Sequence, residues 1–347
     1  MTTAMQPSRS GQAELVQLSD LLLPFAIRSL ATLGVADVLA AGPAPVESIA
    51  EAVGANTDAL YRTLRFTAGR GVFTQLPDRV FALSPSAEYL RSDRPGNIRP
   101  RLMIDGGTES QLRILTEAVH TLRTGEPAYH KVLGVNPFEV MATDRAKAAR
   151  FHKMQEQVLR AIAKDVNSTV DFSADQLVAD VGGGTGTLVG SIVAEHPQLT
   201  GLLLDLPAVV AEAPPVLAEL GVSDRCELVS GDMFQAVPAG ADTYLLSNVL
   251  HDWPDDKALA ILRNIRAGLG DQARLLTIEA LIGDNPSQSA RVLWQDFMMM
   301  IQGGGRERTA GEHEALLDQA GLRLVSVTPA GTGGTGHSIL ESRLKAS

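Results

Sequence analysis

Leu-Val-Ala-Asp-Val-Gly-Gly-Gly-Thr-Gly, residues 177–186, is an apolar run of strand length that ends in a glycine-rich turn. A segment with helical spacing, Leu188 to Glu195, follows directly. Glycines allow the backbone to turn sharply, and they let a ligand approach the main-chain N–H groups at the positive end of a helix. The stretch therefore predicts the first strand, loop and helix of an α/β sheet, with a ligand bound at the loop.

The spacing of the glycines separates two classes of cofactor site. A dinucleotide fingerprint, G-x-G-x-x-G, starting at Gly182 would require glycine at position 187, where Thr187 stands. The observed pattern, from Asp180 to Gly186, is acidic-x-G-x-G-x-G. An NAD-dependent oxidoreductase is therefore disfavoured.

Apolar runs alternate with helical segments after this loop. The further runs are Gly201–Leu204, Cys226–Val229, Thr243–Leu246 and Leu275–Ile278, with helical patterns at Val209–Leu220 and Lys257–Leu269. Runs that are apolar on both faces and joined by helices predict a parallel sheet covered on both sides, a doubly wound α/β fold. Two last candidates, Leu322–Thr328 and His337–Glu341, flank a glycine-rich stretch and predict a hairpin at the sheet edge.

Acidic residues stand at or just beyond the ends of the first three strands. Asp205 is placed where an acid can take both hydroxyls of a ribose. Asp232, in the sequence Gly231-Asp-Met-Phe234, can accept the amino group of adenine beside a thioether and an aromatic ring. Each acid alone reads equally well as a cap or turn residue. Together with Asp180 they favour a nucleoside-containing ligand, because open α/β sheets bind ligands along that edge.

The N-terminal half has helical spacing. Apolar residues recur at intervals of three and four between Leu15 and Leu39, which predicts a helix with one buried face. Two short helices follow, Val46–Val53 and Thr57–Ala68, and Asn56 is placed to cap the second.

A hairpin and two long helices complete this half. Apolar residues on both sides of Pro77-Asp78 predict the wing of a winged-helix unit. Long helices are predicted from Asn97 to Leu122 and from Arg145 to Ser168. Such helices could line a site or pair two chains.

Charge and cysteine content narrow the function classes. The chain of 347 residues has 30 Lys and Arg against 40 Asp and Glu, a net charge of −10. This balance repels a phosphate backbone, so we expect no nucleic-acid partner, and DNA binding through Arg62 and Arg65 of the winged unit is the minor alternative. One cysteine, Cys226, excludes a disulfide framework or a cysteine-rich zinc site within one chain.

Localisation and metal content are also expected from patterns. The first twelve residues lack the apolar core of a secretory signal, and no stretch approaches the length needed to span a bilayer. A cytoplasmic protein with no membrane partner is therefore expected. No histidine pair has the spacing of helix-borne ligands, so no metal is expected.

A histidine marks the end of the fourth strand, in Ser247-Asn-Val-Leu-His251-Asp-Trp-Pro254. Pro254 is suited to the first turn of a helix. A lone histidine is more often a structural hydrogen-bonding residue, but His251 follows the candidate cofactor acids at a ligand-binding edge. Because its ordinary pKa lies near neutrality, imidazole suits a general base, and we interpret His251 as one.

With these motifs in order, the chain resembles class I S-adenosylmethionine-dependent methyltransferases. More narrowly, it is similar to the plant-type small-molecule O-methyltransferases, whose bacterial members act on aromatic natural products. The resemblance implies a Rossmann-like methyltransferase domain at 173–347, preceded by a mainly α winged-helix dimerisation domain at 1–95 and a helical linker with substrate-pocket helices at 96–172. It also implies a homodimer formed through the N-terminal domain.

The resemblance implies S-adenosylmethionine as cofactor and assigns residues to it. The implied cofactor-binding residues are Asp180, Gly182, Gly184, Gly186, Asp205, Leu206, Asp232, Met233, Phe234, Ser247, Asp252 and Trp253. The glycines would lie near the methionine part, Asp205 at the ribose, and Asp232, Met233 and Trp253 at the adenine. Ser247 departs from the lysine of several relatives.

The resemblance also implies two acids beside the base and a pocket for a small aromatic hydroxyl compound. Glu279, at the end of the fifth strand, and Glu307, otherwise interpreted as a solvated loop charge, would orient His251. The implied acceptor-binding residues are Phe151, Met154, Gln155, Trp294, Met298, Met299 and Gln302.

The sequence therefore predicts a metal-independent O-methyltransferase of small phenolic or polyketide compounds. One alternative keeps the cofactor and changes the reaction to hydroxylation or decarboxylation, against which retention of His251 argues. The other is a regulator with a DNA-binding winged unit and a ligand-sensing α/β half.

Overall fold

The chain divides into two structural units, Met1–Leu112 and Arg113–Ser347. The structure is a computed structural model that describes residues 11–104, 109–135, 137, 140, 144–285, 289–330 and 336–345. For residues 145–151 and 154 it describes the backbone alone.

The first unit is mainly helical. Its elements are α1 (Gly11–Leu18), α2 (Leu22–Leu33), α3 (Val35–Val38), β1 (Ala44–Pro45), α4 (Val46–Val53), α5 (Thr57–Ala68), β2 (Phe73–Gln75), β3 (Val80–Leu83) and α6 (Arg99–Leu102), with 3-10 turns at Leu39–Ala41 and Ala87–Leu90. As predicted, Asn56 caps α5, since its Oδ1 accepts a hydrogen bond of 3.0 Å from the N–H of Ala59. The strands form an antiparallel sheet in the order β1-β3-β2.

The predicted buried face is confirmed at Leu30, Val35 and Leu39, which are buried, but it is wrong for the residues that precede them. Helix α1 has no buried residue, and Leu18 is 78% exposed. Leu15, Leu22, Phe25 and Leu33 are exposed as well. The apolar periodicity is present, but among the described residues of α1 and α2 only the second half of α2 is buried, at Leu30 and Ala31.

The same residues also correct the statement that no stretch is long enough to span a bilayer. Gly11–Leu33 meets the criteria of length and composition, with only 11% of its apolar window buried. The helix is interrupted, however, between Leu18 and Leu22, where Oδ1 of Asp20 accepts a 3.0 Å hydrogen bond from the N–H of Leu22.

The single long helix predicted between Asn97 and Leu122 is also wrong. Helix α6 ends at Leu102, because the next residue, Met103, has an extended ψ of 127°. Two short helices, α7 (Glu109–Leu115) and α8 (Ala118–Thr124), follow and are separated by the non-helical Glu117.

The second unit contains a seven-stranded sheet, so the predicted doubly wound fold is confirmed. Its elements continue with α9 (Ala128–Leu133), α10 (Arg145–Thr169), β4 (Leu177–Val181), α11 (Thr187–Glu195), β5 (Thr200–Asp205), α12 (Pro207–Val210), α13 (Ala213–Glu219), β6 (Cys226–Ser230), β7 (Thr243–Ser247), α14 (Asp255–Gly268), β8 (Arg274–Ala280), α15 (Ala290–Gln302), α16 (Ala310–Gln319), β9 (Leu322–Pro329) and β10 (His337–Leu344). The strand order is β6-β5-β4-β7-β8-β10-β9. Strands β4 to β8 are parallel, whereas β10 is antiparallel to both neighbours.

The order of the strands determines where a ligand binds. The chain runs outward from β4 in one direction through β5 and β6, then returns to the other side of β4 with β7. This reversal is a topological switch point, and ligands bind outside the carboxyl ends of the strands there. Two apolar layers cover the sheet, one including α10 and α11 and the other including α14 and α16.

Local sequence explains one further difference from prediction. The helix predicted over Val209–Leu220 is two helices, α12 and α13. Pro214 and Pro215 lie in the first turn of α13, where proline lacks an N–H to donate and disfavours helical backbone in the residue before it.

Candidate active site

The glycine-rich loop lies directly on the carboxyl group of Asp180. A Cβ added to Gly183 would overlap this carboxyl group, and one added to Gly182 would lie 3.2 Å from Cγ2 of Val249. Gly182 also has a φ of 70°, which side-chain-bearing residues rarely adopt. Glycine is therefore required at both positions, as the backbone packs between β4 and the segment that follows β7.

Asp205 connects the ends of β5 and the loop. Its Oδ2 accepts a 2.8 Å hydrogen bond from the N–H of Gly184, and its Oδ1 accepts one of 2.7 Å from the N–H of Leu206. Burial raises the pKa of Asp205 although both N–H groups act to lower it. Each oxygen keeps a second lone pair, so the carboxylate can still accept hydroxyl protons.

Asp180 offers an unsatisfied oxygen at the same edge. Its side chain is buried, and its Oδ2 has no hydrogen-bond partner among the residues described by the structure. Burial raises the pKa of Asp180 to about 7. A buried polar atom without a partner is costly, so Asp180 is a candidate to contact a bound group.

The adenine-side candidates lie together. Asp232 Oδ1 accepts a 2.9 Å hydrogen bond from the N–H of Phe234, so Asp232 also shapes its own turn. The rings of Phe234 and Trp253 stack edge to face with centroids 4.8 Å apart. Asn264, which sequence reasoning missed, donates a 2.8 Å hydrogen bond to the carbonyl of Met233. These contacts order one wall of the switch-point crevice.

His251 lies in a 3-10 turn, Leu250–Asp252, directly beyond β7. Its side chain is buried, with Nδ1 2.9 Å from Oε1 of Glu307 and 3.8 Å from Oε2 of Glu279. Its Nε2 lies 3.5 Å from Oδ1 of Asp252. The structure therefore brings the predicted base and two buried acids together, with the half-buried Asp252 beside them.

Both glutamates also organise the backbone around His251. Oε1 of Glu279 accepts hydrogen bonds of 3.1 Å and 2.9 Å from the N–H groups of Val249 and Leu250. Glu307 is buried, so its interpretation as a solvated loop charge is wrong, and its N–H donates a 2.9 Å hydrogen bond to Oδ1 of Asp296. Pro254 precedes the following helix rather than occupying its first turn, because α14 begins at Asp255.

The three carboxylates control the protonation of the histidine. Burial lowers the pKa of His251, but Glu279, Asp252 and Glu307 together raise it to about 10. Burial likewise raises the pKa of Glu279 to about 7, although His251 acts to lower it. The carboxylates around His251 therefore favour the protonated imidazole, which shifts its pKa upward from the ordinary value near neutrality.

Sequence reasoning missed a residue that touches the base. Nε2 of Gln295 lies 3.4 Å from Nδ1 of His251. Gln295, Met299 and Gln302 stand at i, i+4 and i+7 on α15, a spacing that places them on one helix face. That spacing was the available signal, since Met299 and Gln302 were already candidates.

The remaining acceptor candidates occupy different environments. Met298 is buried in an apolar cluster with Ile114, Tyr129 and Ile301. Trp294 is 67% exposed, whereas Met299, Gln302 and Gln155 are half-buried. The side chains of Phe151 and Met154 lie outside the described residues.

Ser247 and a possible cation site lie near the same edge of the sheet. The Ser247 hydroxyl is buried and has no hydrogen-bond partner among the described residues. His251, Glu279 and Glu307 each have one potential ligand atom within 4.8 Å of the other two. A cation bound between them could contact all three.

Two family models match the chain. The O-methyltransferase domain matches residues 112–323, and the O-methyltransferase dimerisation domain matches residues 16–93. Among curated proteins, phenazine O-methyltransferase PhzM of Lysobacter antibioticus is 36% identical over 97% of this chain and 99% of its own length. Aclacinomycin 10-hydroxylase RdmB of Streptomyces purpurascens is 31% identical over 92% of this chain and 86% of its own.

A solved relative shares the whole architecture. The O-methyltransferase NcsB1 from neocarzinostatin biosynthesis, in complex with S-adenosylmethionine and 2-hydroxy-5-methyl naphthoic acid, superposes with a TM-score of 0.85. It is 34% identical, and the match covers 97% of this chain and 100% of that one.

Proposed function

This chain belongs to the S-adenosylmethionine-dependent O-methyltransferase family, and from that premise we propose that it methylates a hydroxyl of a small aromatic natural product, without a metal, with His251 as general base. The observation that carries the proposal is the buried contact of 2.9 Å between Nδ1 of His251 and Oε1 of Glu307 at the switch-point edge.

The residues at the carboxyl edge fit S-adenosylmethionine. The unpartnered oxygen of Asp180 and the glycine backbone suit its amino-acid part, and Asp205 suits its ribose. Asp232, with the edge-to-face pair of Phe234 and Trp253, suits the adenine ring. When bound, the cofactor would supply a methyl group attached to a positively charged sulfur. The neutral thioether that remains is a good leaving group for an in-line displacement. In this arrangement, the chain's own contribution is binding, alignment and proton removal.

The carboxylates determine which nitrogen of His251 takes the acceptor proton. Glu307 and Glu279 both face Nδ1, so the proton of the neutral imidazole stays on Nδ1. The free lone pair of the ring is then on Nε2. Nε2 is therefore the atom that removes the hydroxyl proton. Because the pKa of His251 is about 10 in the ligand-free protein, Nε2 must first lose a proton. Any positive charge bound near the cluster lowers this pKa and favours the loss.

The acceptor is a flat aromatic hydroxyl compound. Its pocket would be lined by the face of α15 that carries Gln295, Met299 and Gln302, together with Gln155 of α10. Thioether side chains adapt to flat rings, and the amides provide hydrogen bonds to polar ring substituents. Two relatives with related ligands, a phenazine O-methyltransferase and the naphthoate-bound NcsB1, support this class.

The proposed site operates without a metal. The triad of His251, Glu279 and Glu307 could hold a cation, but Nδ1 of His251 is within hydrogen-bond distance of Glu307 and carries a proton in this arrangement. A metal ion would have to displace this proton, so metal binding at Nδ1 and the hydrogen bond to Glu307 exclude each other. The imidazolium itself supplies the positive charge that the acids require.

The protein acts as a cytoplasmic homodimer formed through the N-terminal unit. Support comes from the dimerisation-domain match over residues 16–93 and from the exposed leucines of α1 and α2. A second copy would cover this apolar surface, which explains the apolar Gly11–Leu33 stretch without a membrane.

The deciding experiment is mass spectrometry of reactions with S-adenosylmethionine and a panel of phenolic acids and naphthoates, including 1,4-dihydroxy-2-naphthoic acid. Wild type should add one methyl group, and His251→Ala should bind the cofactor without turnover. Altered chemistry is the second candidate, because a relative is a 10-hydroxylase. An oxygen-bearing or decarboxylated product, in place of a methylated one, would favour it.

A further inference from the structure

Arg308 is the largest side chain that is fully buried in the described part of the chain, with 1% of its surface exposed. It lies one residue beyond Glu307, yet it does not contact the acids of the base cluster in any described hydrogen bond. Its Nη1 donates a 2.8 Å hydrogen bond to the carbonyl of Leu250, and its Nη2 donates one of 2.8 Å to the carbonyl of Trp253. The two carbonyls stand on either side of His251 and Asp252.

We propose that Arg308 is a positioning residue that holds the turn carrying His251 against Glu307 through the carbonyl oxygens of Leu250 and Trp253. The proposal rests on the proposed role of His251 as general base. It adds a residue that acts on the base through the backbone carbonyls of the turn.

The backbone before Arg308 also contacts the turn that carries His251. The N–H of Arg306 donates a 2.8 Å hydrogen bond to the carbonyl of His251. A Cβ added to Gly305 would overlap that carbonyl oxygen. The segment Gly305–Arg308 therefore lies along the His251 turn at every residue, with Glu307 reaching the ring and Arg308 the flanking carbonyls.

The same segment is fixed at its other end. The N–H of Ile282, two residues beyond β8, donates a 3.0 Å hydrogen bond to the carbonyl of Arg308. Since β8 carries Glu279, the Arg308 backbone links the strand of one acid to the segment of the other. Movement of Arg308 would change both acid contacts of His251.

A purely structural role explains Arg308 less well. Its only described carboxylate partner is Asp255, which is 53% exposed and also bonded by Arg306. A buried charge is costly unless its hydrogen bonds are made, and an exposed side chain would suffice to neutralise Asp255. The guanidinium group donates to three carbonyls, those of Leu250, Trp253 and Arg306, and to the carboxylate of Asp255. The ammonium group of lysine, with three donors on one atom, cannot reach all four.

The test compares Arg308→Lys with Arg274→Lys. Arg274 is the control because it is also an arginine with little exposed side chain, 12%, that donates to a carbonyl and a carboxylate, those of Asp171 and Asp175, at the amino end of β8. Each variant is measured for its thermal midpoint, its Kd for S-adenosylmethionine, its kcat with 1,4-dihydroxy-2-naphthoic acid, and the pKa of His251 by NMR of isotope-labelled histidines.

We expect Arg308→Lys to lower kcat about 100-fold, the effect of a base displaced by roughly 1 Å, with a much smaller change in Kd for the cofactor. The pKa of His251 should fall, because the ring moves away from the carboxylates that raise it. Arg274→Lys should lower the thermal midpoint while leaving kcat and that pKa unchanged.

An unchanged pKa of His251 in folded Arg308→Lys would overturn the proposal, as would equal losses in both variants. If Arg308→Lys does not fold, Arg308→Gln, which keeps two N–H donors, takes its place with the same expectations. If wild type methylates none of the phenols, the proposed function fails, while the NMR measurement still decides the role of Arg308.

Discussion

Nδ1 of His251 lies 2.9 Å from Oε1 of Glu307, a buried carboxylate that stands 56 positions further along the chain. Glu279 approaches the same nitrogen from the neighbouring strand, at 3.8 Å. The ring is thus fixed from one side, and its other nitrogen faces Asp252 at 3.5 Å. This asymmetry is what a general base needs, because one nitrogen must keep its proton while the other exchanges one.

His251→Ala should lower kcat by roughly 100- to 10,000-fold, the usual contribution of a positioned acid or base. The Kd for S-adenosylmethionine should change little, because the glycine loop and Asp205 lie on other strands. Isothermal titration and product mass spectrometry measure the two quantities. His130→Ala, which removes an exposed histidine of α9, is the control. Turnover retained in His251→Ala would rule out the assignment.

Asp205→Asn should weaken S-adenosylmethionine binding about 10- to 100-fold, because it removes a charged hydrogen-bond acceptor from the ribose position. The matched control is Asp242→Asn. Oδ2 of Asp242 also accepts two backbone hydrogen bonds, from Gln176 and Leu177, but at the amino edge of the sheet. Equal Kd values for the two variants and wild type would contradict a cofactor role for Asp205.

The sequence predicts the acids at the sheet edge better than the residues around His251, and the reason is physical. The positions of Asp180, Asp205 and Asp232 are predictable, because parallel strands of alternating β and α segments bring their carboxyl ends to one edge. Glu307 and Gln295 are not reached this way. Their segments are placed by tertiary packing, so their approach to His251 cannot be read from the strand ends; for Gln295 the helical spacing to Met299 and Gln302 is a local signal, and for Glu307 there is none.

The prediction of burial for α1 and the start of α2 is incorrect although the local pattern is correct. The spacing of Leu15, Leu18 and Leu22 is a local property and is read correctly, but what covers a helix face is not local. Periodicity alone does not distinguish a face buried in the same chain from one covered by a second copy. The break at Asp20, whose Oδ1 accepts a hydrogen bond from the N–H of Leu22, is equally invisible to apolar spacing.

That exposed surface gives a prediction about assembly. The double variant Leu18→Asp, Leu22→Asp should shift the protein from dimer to monomer, because it places charges in an apolar interface. Light scattering coupled to size exclusion measures the mass. Leu228→Asp, on strand β6 of the second unit, also changes a partly exposed leucine and serves as the control. A monomeric wild type would contradict the proposed assembly.

Metal removal should leave turnover unchanged. His251, Glu279 and Glu307 have the spacing of a possible cation site, so the test is direct. Dialysis against EDTA, followed by assays with and without added Mg²⁺ or Zn²⁺, should give equal kcat values. Loss of activity that a divalent cation restores would assign the triad to a metal and remove His251 as the base.

The stability of the ligand-free protein should fall as the pH rises from about 6.5 to about 10, the unfolded and folded pKa values of His251. The folded protein holds this proton more tightly than the unfolded chain does. Its stabilisation is therefore complete below the unfolded pKa and is lost as the pH rises through the folded one. Glu279, with its pKa raised from 4.5 to about 7, adds a loss of the same sign over that lower range.

Glu307→Gln separates the histidine from other titrating groups. The variant removes one charge that raises the pKa of His251, so the folded pKa falls and the histidine-dependent loss of stability ends at a lower pH. The measurement is the free energy of unfolding from urea titrations at a series of pH values, compared between wild type and variant. In activity, the same fall moves the acidic limb of the rate profile to lower pH, because neutral imidazole forms earlier. Identical pH dependence of stability in the two proteins would mean that Glu307 does not control the proton on His251, and the orienting role assigned to it would be lost.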